Sequence, residues 1–254
     1  TAELVEQCRK WYEGFEFHRV FHALHDFAVV DLSAFYFDVL KDRLYTFAAR
    51  NRARRSAQTA VYRIAKALLS LATPIMVFTA EEIWRHFPHV AGDPESAHLA
   101  LFPKPEALGS SLDAAKAANW EKLLAVRTEV LRALESARNA KTISGALEAK
   151  VVLNAAQDLA PLLEQYKNWL PSLFIVSKVD IAAAAPADAQ KSELLPGLSV
   201  AVRRVEGAKC ERCWNYSTHV GENADYPTVC ERCVKALNEI EESGQAGGQG
   251  AASA

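Results

Sequence analysis

Residues 17–45 read FHRVFHALHDFAVVDLSAFYFDVLKDRLY, and apolar side chains recur in this stretch at every third or fourth position. That period is typical of amphipathic helices, which bury one apolar face. The same period returns over residues 56–72, and a third helix is predicted to start at Thr79, which stands at capping-box spacing from Glu82. The sequence therefore predicts a helical bundle over residues 1–105.

The second half of the chain has a different pattern. Proline and glycine recur over residues 88–111 and mark a boundary. After a further helical stripe, residues 147–153 (LEAKVVL) alternate with the two-residue period of a strand, and apolar runs near Phe174 and Val200 indicate more strands. We expect a small α+β layer over residues 106–205. The predicted fold class is thus mainly α: a helical bundle, then a small α+β layer and a four-cysteine zinc finger.

The zinc finger is predicted from KCERCWNYSTHVGENADYPTVCERCVKAL, residues 209–237, in which sixteen residues separate two Cys-x-x-Cys pairs. Each pair can supply two thiolates to one side of an ion, and the excursion lets the second pair complete a tetrahedron. Four thiolates leave no position for water, so we predict one structural zinc that stabilises a small module over residues 206–241. Redox dithiols fit the matched spacing less well, and His219 is not needed as a ligand. The predicted ligands are Cys210, Cys213, Cys230 and Cys233.

The composition limits the class of protein. The chain has 254 residues, of which 50% are apolar, and a formal net charge of −2, so it can build cores but is not uniformly basic. Residues 43–80 nevertheless contain seven arginines and lysines and no acid. Such a run is either a solvated helix face or a local phosphate-binding patch.

The ends of the chain and its apolar runs add further expectations. No run approaches the roughly 20 apolar residues of a membrane span, and the first residues resemble neither a signal nor a transit peptide, so we expect a cytoplasmic protein without membrane contact. The chain begins without methionine and inside a helical pattern, which suits a piece of a longer protein. The tail over residues 242–254 is predicted to be disordered because it has too few apolar groups.

Some weaker signals have ordinary explanations. His18, His22 and His25 share one helical face but lack accompanying carboxylates at a known metal-motif spacing, so we interpret them as a polar face. Arg127 interrupts an apolar stripe, and we expect its stem to pack while its head pairs with an acid such as Glu129. The sequence contains no Gly-rich phosphate loop, no Gly-x-Ser-x-Gly elbow and no plausible catalytic Cys and His pair, which argues against an autonomous enzyme.

Three of these segments resemble one family. Residues 17–45 and residues 54–84, RRSAQTAVYRIAKALLSLATPIMVFTAEEIW, resemble the anticodon-binding helical domain of bacterial isoleucine-tRNA ligases. Residues 138–153, RNAKTISGALEAKVVL, are similar to the segment beyond that bundle, and KCERCWNY with CERC resembles the C-terminal zinc finger. Ligases for leucine, valine and methionine share the bundle, but the cysteine module points to isoleucine. The order of small residues at Ser144, Gly145 and Ala146 departs from the family's turn.

The resemblance implies a role in a class I aminoacyl-tRNA ligase. The parent enzyme would attach isoleucine to its tRNA through isoleucyl-adenylate, with ATP and magnesium bound in a catalytic domain outside this chain. The family's HIGH and KMSKS signatures do not occur here, so we expect no activity from this chain alone. The implied partners are isoleucine tRNA and the parent's catalytic and editing domains, and we expect a monomer.

The resemblance also favours the phosphate-binding interpretation of the basic run. Trp214 beside the zinc could stack on a base or cover the finger, as could Tyr216. The residues that we expect to contact RNA are Arg50, Arg52, Arg54, Arg55, Arg63 and Trp214.

Two other functions remain as alternatives. Formamidopyrimidine-DNA glycosylases end in a similar four-cysteine finger, but they require a catalytic N-terminal proline followed by an acid, whereas this chain begins TAELVEQ. A free-standing zinc-finger RNA-binding module would share all the features above.

Overall fold

The computed structural model describes residues 1–108, 113–156 and 158–249. It confirms the predicted fold class, because a mainly helical chain leads into a small α+β layer and a module with four clustered cysteines. The chain divides into two compact units, Thr1–Asp38 with Arg52–Leu112 and Val39–Asn51 with Asp113–Ala254. The predicted domain boundaries at 105, 205 and 241 stay a prediction. No helix in the described part of the chain is both long and apolar enough to cross a membrane.

The first half of the described chain is helical, as its apolar periodicity predicts. Its second and third α-helices are joined by a π-helical stretch, so that residues 17–46 form one uninterrupted helical run. The helices are α1 (Ala2–Glu13), α2 (Phe17–Asp26), the π-helical stretch Phe27–Tyr36, α3 (Phe37–Thr46), α4 (Arg52–Ala72), α5 (Val77–His86), the 3-10 turn Ala97–Leu99 and α6 (Pro105–Leu108).

Two helix starts differ from the sequence prediction. Helix α4 begins at Arg52 rather than near Ser56, and α5 begins at Val77 with Met76 at its N-cap and no side-chain cap. The capping box predicted at Thr79 is therefore wrong. Thr79 lies inside the first turn of the helix, where the chain is already helical.

The first unit is held together by the apolar faces of α1, α2 and α4. Val5, Cys8, Val20 and Leu71 are fully buried in one cluster. The hydroxyl of Tyr12 donates to the Leu71 carbonyl oxygen at 2.5 Å, which ties α1 to the end of α4. Burial raises the pKa of the Cys8 thiol to about 11, so this cysteine is an inert packing residue.

The second unit contains a four-stranded sheet in the order β2-β1-β4-β3. The central strand β1 pairs in parallel with β2 and antiparallel with β4, so that Val151 lies opposite Val179 on one side and Val202 on the other. The parallel pair needs a crossover, which two short helices supply. The described elements are α7 (Ala114–Asn139), β1 (Ala149–Asn154), α8 (Ala160–Tyr166), α9 (Leu170–Phe174), β2 (Lys178–Ile181), β3 (Gln190–Lys191), β4 (Ser199–Arg204), β5 (Ala208–Lys209), β6 (Tyr216–Ser217) and α10 (Glu231–Gln249).

The sheet is covered by helices that present apolar side chains. Helix α7 packs on β4, and α9 packs on β2 and α7. Val126 and Val130 of α7 and Phe174 of α9 are fully buried. The final helix α10 extends to Gln249 and so enters the segment from residue 242 for which the sequence predicts disorder. The last five residues of that predicted tail, 250–254, lie outside the described residues.

Candidate metal centre

The first cysteine pair lies on a tight turn between β5 and β6. The backbone N–H of Cys210 donates to the Asn215 carbonyl, and the N–H of Trp214 donates to the Cys210 carbonyl, both at 2.9 Å. Trp214 adopts a left-handed conformation with φ of 64° to close this turn. At Gly207, with φ of 98°, a β-carbon would lie 2.4 Å from the Ser217 backbone, so only glycine allows the strands to approach.

The second cysteine pair lies where α10 begins. Cys230 precedes the first helical residue, and its carbonyl accepts from the N–H of Val234 at 2.9 Å. Cys233 follows within the first turn. Both cysteines therefore lie at the N-terminal end of α10, where the helix dipole is positive.

The four thiols converge on one point. The sulfur atoms of Cys210, Cys213, Cys230 and Cys233 all lie within 4.8 Å of one another, and the Sγ atoms of Cys213 and Cys230 are 3.7 Å apart. A tetrahedral zinc ion with Zn–S bonds of about 2.3 Å places its sulfurs about 3.8 Å apart. Among the side chains that the structure describes, this is the one group of three or more metal-ligating residues close enough to hold an ion.

The surroundings of these thiols suit a closed structural site. All four cysteines are at most 9% exposed, and Val220, Tyr226, Val229, Val234 and Leu237 pack against them. The backbone N–H of Cys230 points to the Cys210 sulfur at 3.3 Å. Hydrogen bonding from the Cys230 and Cys233 thiols lowers the pKa of the Cys213 thiol, and the same contact raises the pKa of Cys230 to about 11. Metal ions bind cysteine as the thiolate, so a cation bound here would displace the thiol protons.

Two arginines lie beside the sulfurs. Both cysteine pairs read Cys-Glu-Arg-Cys, which places Arg212 and Arg232 at equivalent positions. Arg212 Nη1 lies 3.6 Å from the Cys233 sulfur. Four thiolates around a divalent cation carry a net charge of about −2, so nearby guanidinium groups offset it. Burial acts to lower the pKa of Arg232, but the hydrogen bonds to Asp42 and the nearby charges together outweigh burial and hold this pKa above its usual range.

His219 is separate from the cluster. It is exposed, and its Nδ1 lies 2.9 Å from the carboxylate of Glu222, whose hydrogen bond raises the pKa of His219. The three histidines at positions 18, 22 and 25 are also exposed on α2. Arg127 donates from Nε to the Leu173 carbonyl at 3.1 Å, a backbone contact that the sequence interpretation did not include.

The predicted RNA-contacting arginines of α4 fall on two faces. The spacing of Arg52, Arg55 and Arg63 places them on one side of the helix, and all three are exposed. Arg54 faces away from them and is half-buried. Among the described residues, none forms an ion pair with the three exposed arginines. Lys66, on the same face, pairs with Asp93.

The other two predicted RNA contacts belong to the second unit. Arg50 is exposed in the loop that follows α3. Trp214 is 61% exposed, and Lys209 Nζ lies 5.5 Å from the centroid of its ring. The indole is thus largely uncovered, whereas Tyr216 is half-buried and its N–H donates to Ser177 Oγ.

The sequence interpretation missed the residues of α3 that meet the cysteine module. Asp42 and Thr46 accept hydrogen bonds from Arg232 and Arg212, respectively, across more than 160 positions of sequence. The repeated Cys-Glu-Arg-Cys motif was an available signal for the two arginines, because zinc ligation requires the cysteines but not the same residues between them. It contained no signal for their partners in α3.

Comparison with known proteins relates the chain to parts of tRNA ligases. Residues 1–153 match the model of the anticodon-binding domain of tRNA ligase, and residues 207–236 match the zinc finger found in FPG and IleRS. The isoleucine–tRNA ligases of Desulforamulus reducens and Syntrophotalea carbinolica are each 46% identical to this chain over 93% of its length, which is 25% of theirs. That of Desulfitobacterium hafniense is 41% identical over 94% of this chain and 26% of its own length. The chain spans about a quarter of the length of these relatives.

Proposed function

Because the chain belongs to the family of anticodon-binding domains of tRNA ligases, we propose that it is the tRNA-binding and zinc-binding part of an isoleucine–tRNA ligase. One observation carries the proposal. The bundle and the finger occur in one chain, and 93% of that chain aligns with an isoleucine–tRNA ligase. A DNA glycosylase would not require residues that match an anticodon-binding domain.

Zinc is the proposed metal, bound by Cys210, Cys213, Cys230 and Cys233. The 3.7 Å separation of two sulfurs and the burial of all four support a closed tetrahedral site. Such a site stabilises the finger and leaves no position for a substrate. Zinc binding requires reduced thiols, and the cytoplasm keeps thiols reduced. We therefore place the parent enzyme in the cytoplasm.

The proposed RNA contacts are two separate sets of residues, arginines in the first unit and an exposed ring in the second. Arg52, Arg55 and Arg63 present three guanidinium groups on one helical face, which suits contact with successive phosphates. Trp214 offers a ring face on which an unpaired base can stack. The half-buried Arg54 is a weaker candidate. The parent enzyme would join isoleucine to its tRNA with ATP and magnesium at a catalytic domain outside this chain.

One experiment tests both halves of the proposal. Metal content is measured by mass spectrometry of the intact protein, and binding of isoleucine tRNA and of a non-cognate tRNA is measured by fluorescence anisotropy before and after chelation. We expect one zinc per chain and tighter binding of isoleucine tRNA. Equal binding of both RNAs would contradict a role in selecting isoleucine tRNA, and a protein without zinc would contradict the metal assignment.

A further inference from the structure

Residues 39–51, here called the anchored segment, belong to the same compact unit as the cysteine module although they precede it by more than 150 positions. The segment contains the end of α3 and the loop after it. Leu40, Thr46 and Ala48 are buried, whereas Tyr45 is 78% exposed and Arg50 is exposed as well. The segment is therefore fixed on one side and open on the other.

Arg232 makes the first attachment. Its two terminal nitrogens donate to the two carboxylate oxygens of Asp42, with Nη2 to Oδ1 at 2.8 Å, and its guanidinium carbon lies 5.4 Å from the centroid of the Phe47 ring. The side chains of Arg232 and Asp42 are 37% and 29% exposed. This forked geometry requires arginine, because the ammonium group of lysine cannot donate two parallel hydrogen bonds to both carboxylate oxygens.

Arg212 makes the second attachment. Its Nη1 donates to the Thr46 carbonyl and also lies 3.6 Å from the Cys233 sulfur. Thr46 is the last residue of α3, so this cation caps a carbonyl at the negative end of the helix dipole. The hydroxyl of Thr46 donates to the Asp42 carbonyl at 2.7 Å and lies 3.0 Å from its carboxylate. Both arginines thus end on the same helical turn.

Residues in and beside the segment are of types suited to RNA contact. The guanidinium carbon of Arg43, the neighbour of Asp42, lies 4.8 Å from the centroid of the Trp169 ring, which is 51% exposed. Aromatic rings with exposed surface and arginines are the side chains on which unpaired bases stack and to which phosphates bind.

We propose that Arg212 and Arg232 are positioning residues through which the bound metal holds the turn from Asp42 to Thr46 and thereby orders the anchored segment for RNA contact. Each arginine is a chain neighbour of a cysteine ligand, so fixing the four sulfurs also fixes the backbone from which the arginines extend. Without the metal the two cysteine pairs are free to separate. The backbones of Arg212 and Arg232 are then no longer held at a fixed distance from each other. The RNA part of this proposal rests on the proposed function above, whereas the mechanical part does not.

The test is hydrogen exchange, followed by mass spectrometry, on the whole chain with zinc bound and after chelation. Chelation should speed exchange in peptides that cover residues 39–51 and leave peptides from the middle of α4 unchanged. Arg212→Gln and Arg232→Gln should each speed exchange in residues 39–51 about tenfold while one zinc stays bound, since each removes a charged hydrogen bond. Arg232→Lys should recover part of the protection. Glu211→Gln, in the same cysteine pair but without an arginine contact, is the matched control.

A substitution next to a cysteine ligand could also expel zinc. Asp42→Asn avoids this, because it weakens the Arg232 attachment by changing the partner of Arg232, which is not a neighbour of a cysteine in the sequence. Asp42→Asn with one zinc bound and faster exchange in residues 39–51 would support the proposal. Unchanged exchange in all three variants with zinc bound would overturn it. Isoleucine tRNA binding is measured on the same proteins: faster exchange with unaltered RNA affinity would establish the attachment and refute the RNA role of the segment.

Discussion

Arg212 donates to the carbonyl oxygen of Thr46 while the same nitrogen lies 3.6 Å from the sulfur of Cys233. One side chain thus touches both a candidate metal ligand and a helix end that precedes it by 166 positions. The part of the sequence that contains the candidate metal ligands therefore contacts a segment within the first fifth of the chain.

Replacing one thiolate should abolish zinc binding. In Cys213→Ser we expect the zinc content to fall from about one per chain towards zero, because an incomplete site forfeits most of the roughly 10–16 kcal/mol of apparent binding energy of such fingers. Intact-protein mass spectrometry measures the content. Cys8→Ser is the control, because Cys8 is buried in the apolar cluster of the first unit and is not one of the four clustered cysteines, so it should change stability without changing the metal content. Full zinc in Cys213→Ser would contradict the four-thiolate assignment.

Neutralising the exposed arginines of α4 should reduce the salt dependence of tRNA binding. With Arg52, Arg55 and Arg63 all changed to Gln, we expect the slope of log affinity against log salt to become shallower by about 0.7 to 0.9 for each phosphate that is no longer neutralised. The measurement is a titration of isoleucine tRNA at several salt concentrations. Arg85→Gln provides the control, since Arg85 is 72% exposed on α5. A slope equal to that of the control would show that this face does not bind RNA.

Removing the exposed ring near the metal should weaken RNA binding while zinc stays bound. For Trp214→Ala we expect tRNA binding to weaken by about 1 to 3 kcal/mol, the value typical of one stacked base. Trp214→Phe keeps a ring face at the same left-handed position and should retain most of the affinity. Equal affinities of Trp214→Ala and the wild-type protein would instead mean that the indole does not touch RNA.

Acid should destabilise the first unit partly through Asp93. A hydrogen bond from Lys66, with further help from the N–H of Val90, lowers the pKa of the Asp93 carboxyl below its usual 3.8. A carboxyl with a depressed folded-state pKa contributes stability that is present above its unfolded pKa and disappears as the pH falls through the folded value.

We therefore expect Asp93→Asn to lower the free energy of unfolding by about 1 kcal/mol at neutral pH, and to make little difference once the wild-type carboxyl is protonated. Urea denaturation between pH 7 and pH 2.5 measures both effects. A constant difference between the two proteins across that range would mean that the Asp93 charge is not the source of the stability.

The sequence predicted those features that depend on local periodicity and ligand spacing. The helical run over residues 17–46 follows from apolar residues at three- and four-residue intervals, and the convergence of four thiols follows from two Cys-x-x-Cys pairs. Neither signal requires knowledge of distant contacts.

The features that were missed depend on tertiary structure. The start of α4 at Arg52 is an exception, because Asn51 directly before it is a favoured N-cap residue that the sequence analysis did not use. The parallel pairing of β1 with β2 depends on how α8 and α9 pack. The pairing of Asp42 with Arg232 spans 190 positions. A single sequence contains no signal that links residues so far apart unless their chemistry is already known to belong to one site.

The ion pair between Asp42 and Arg232 also constrains how this chain can change over generations. Removing one partner leaves the other charge partly buried and uncompensated, which costs more than replacing both together. Substitutions at positions 42 and 232 should therefore be inherited as a pair among related chains. A lineage that altered its metal-binding motif would accordingly be expected to carry a compensating change at the end of α3, in a part of the gene that encodes no metal ligand.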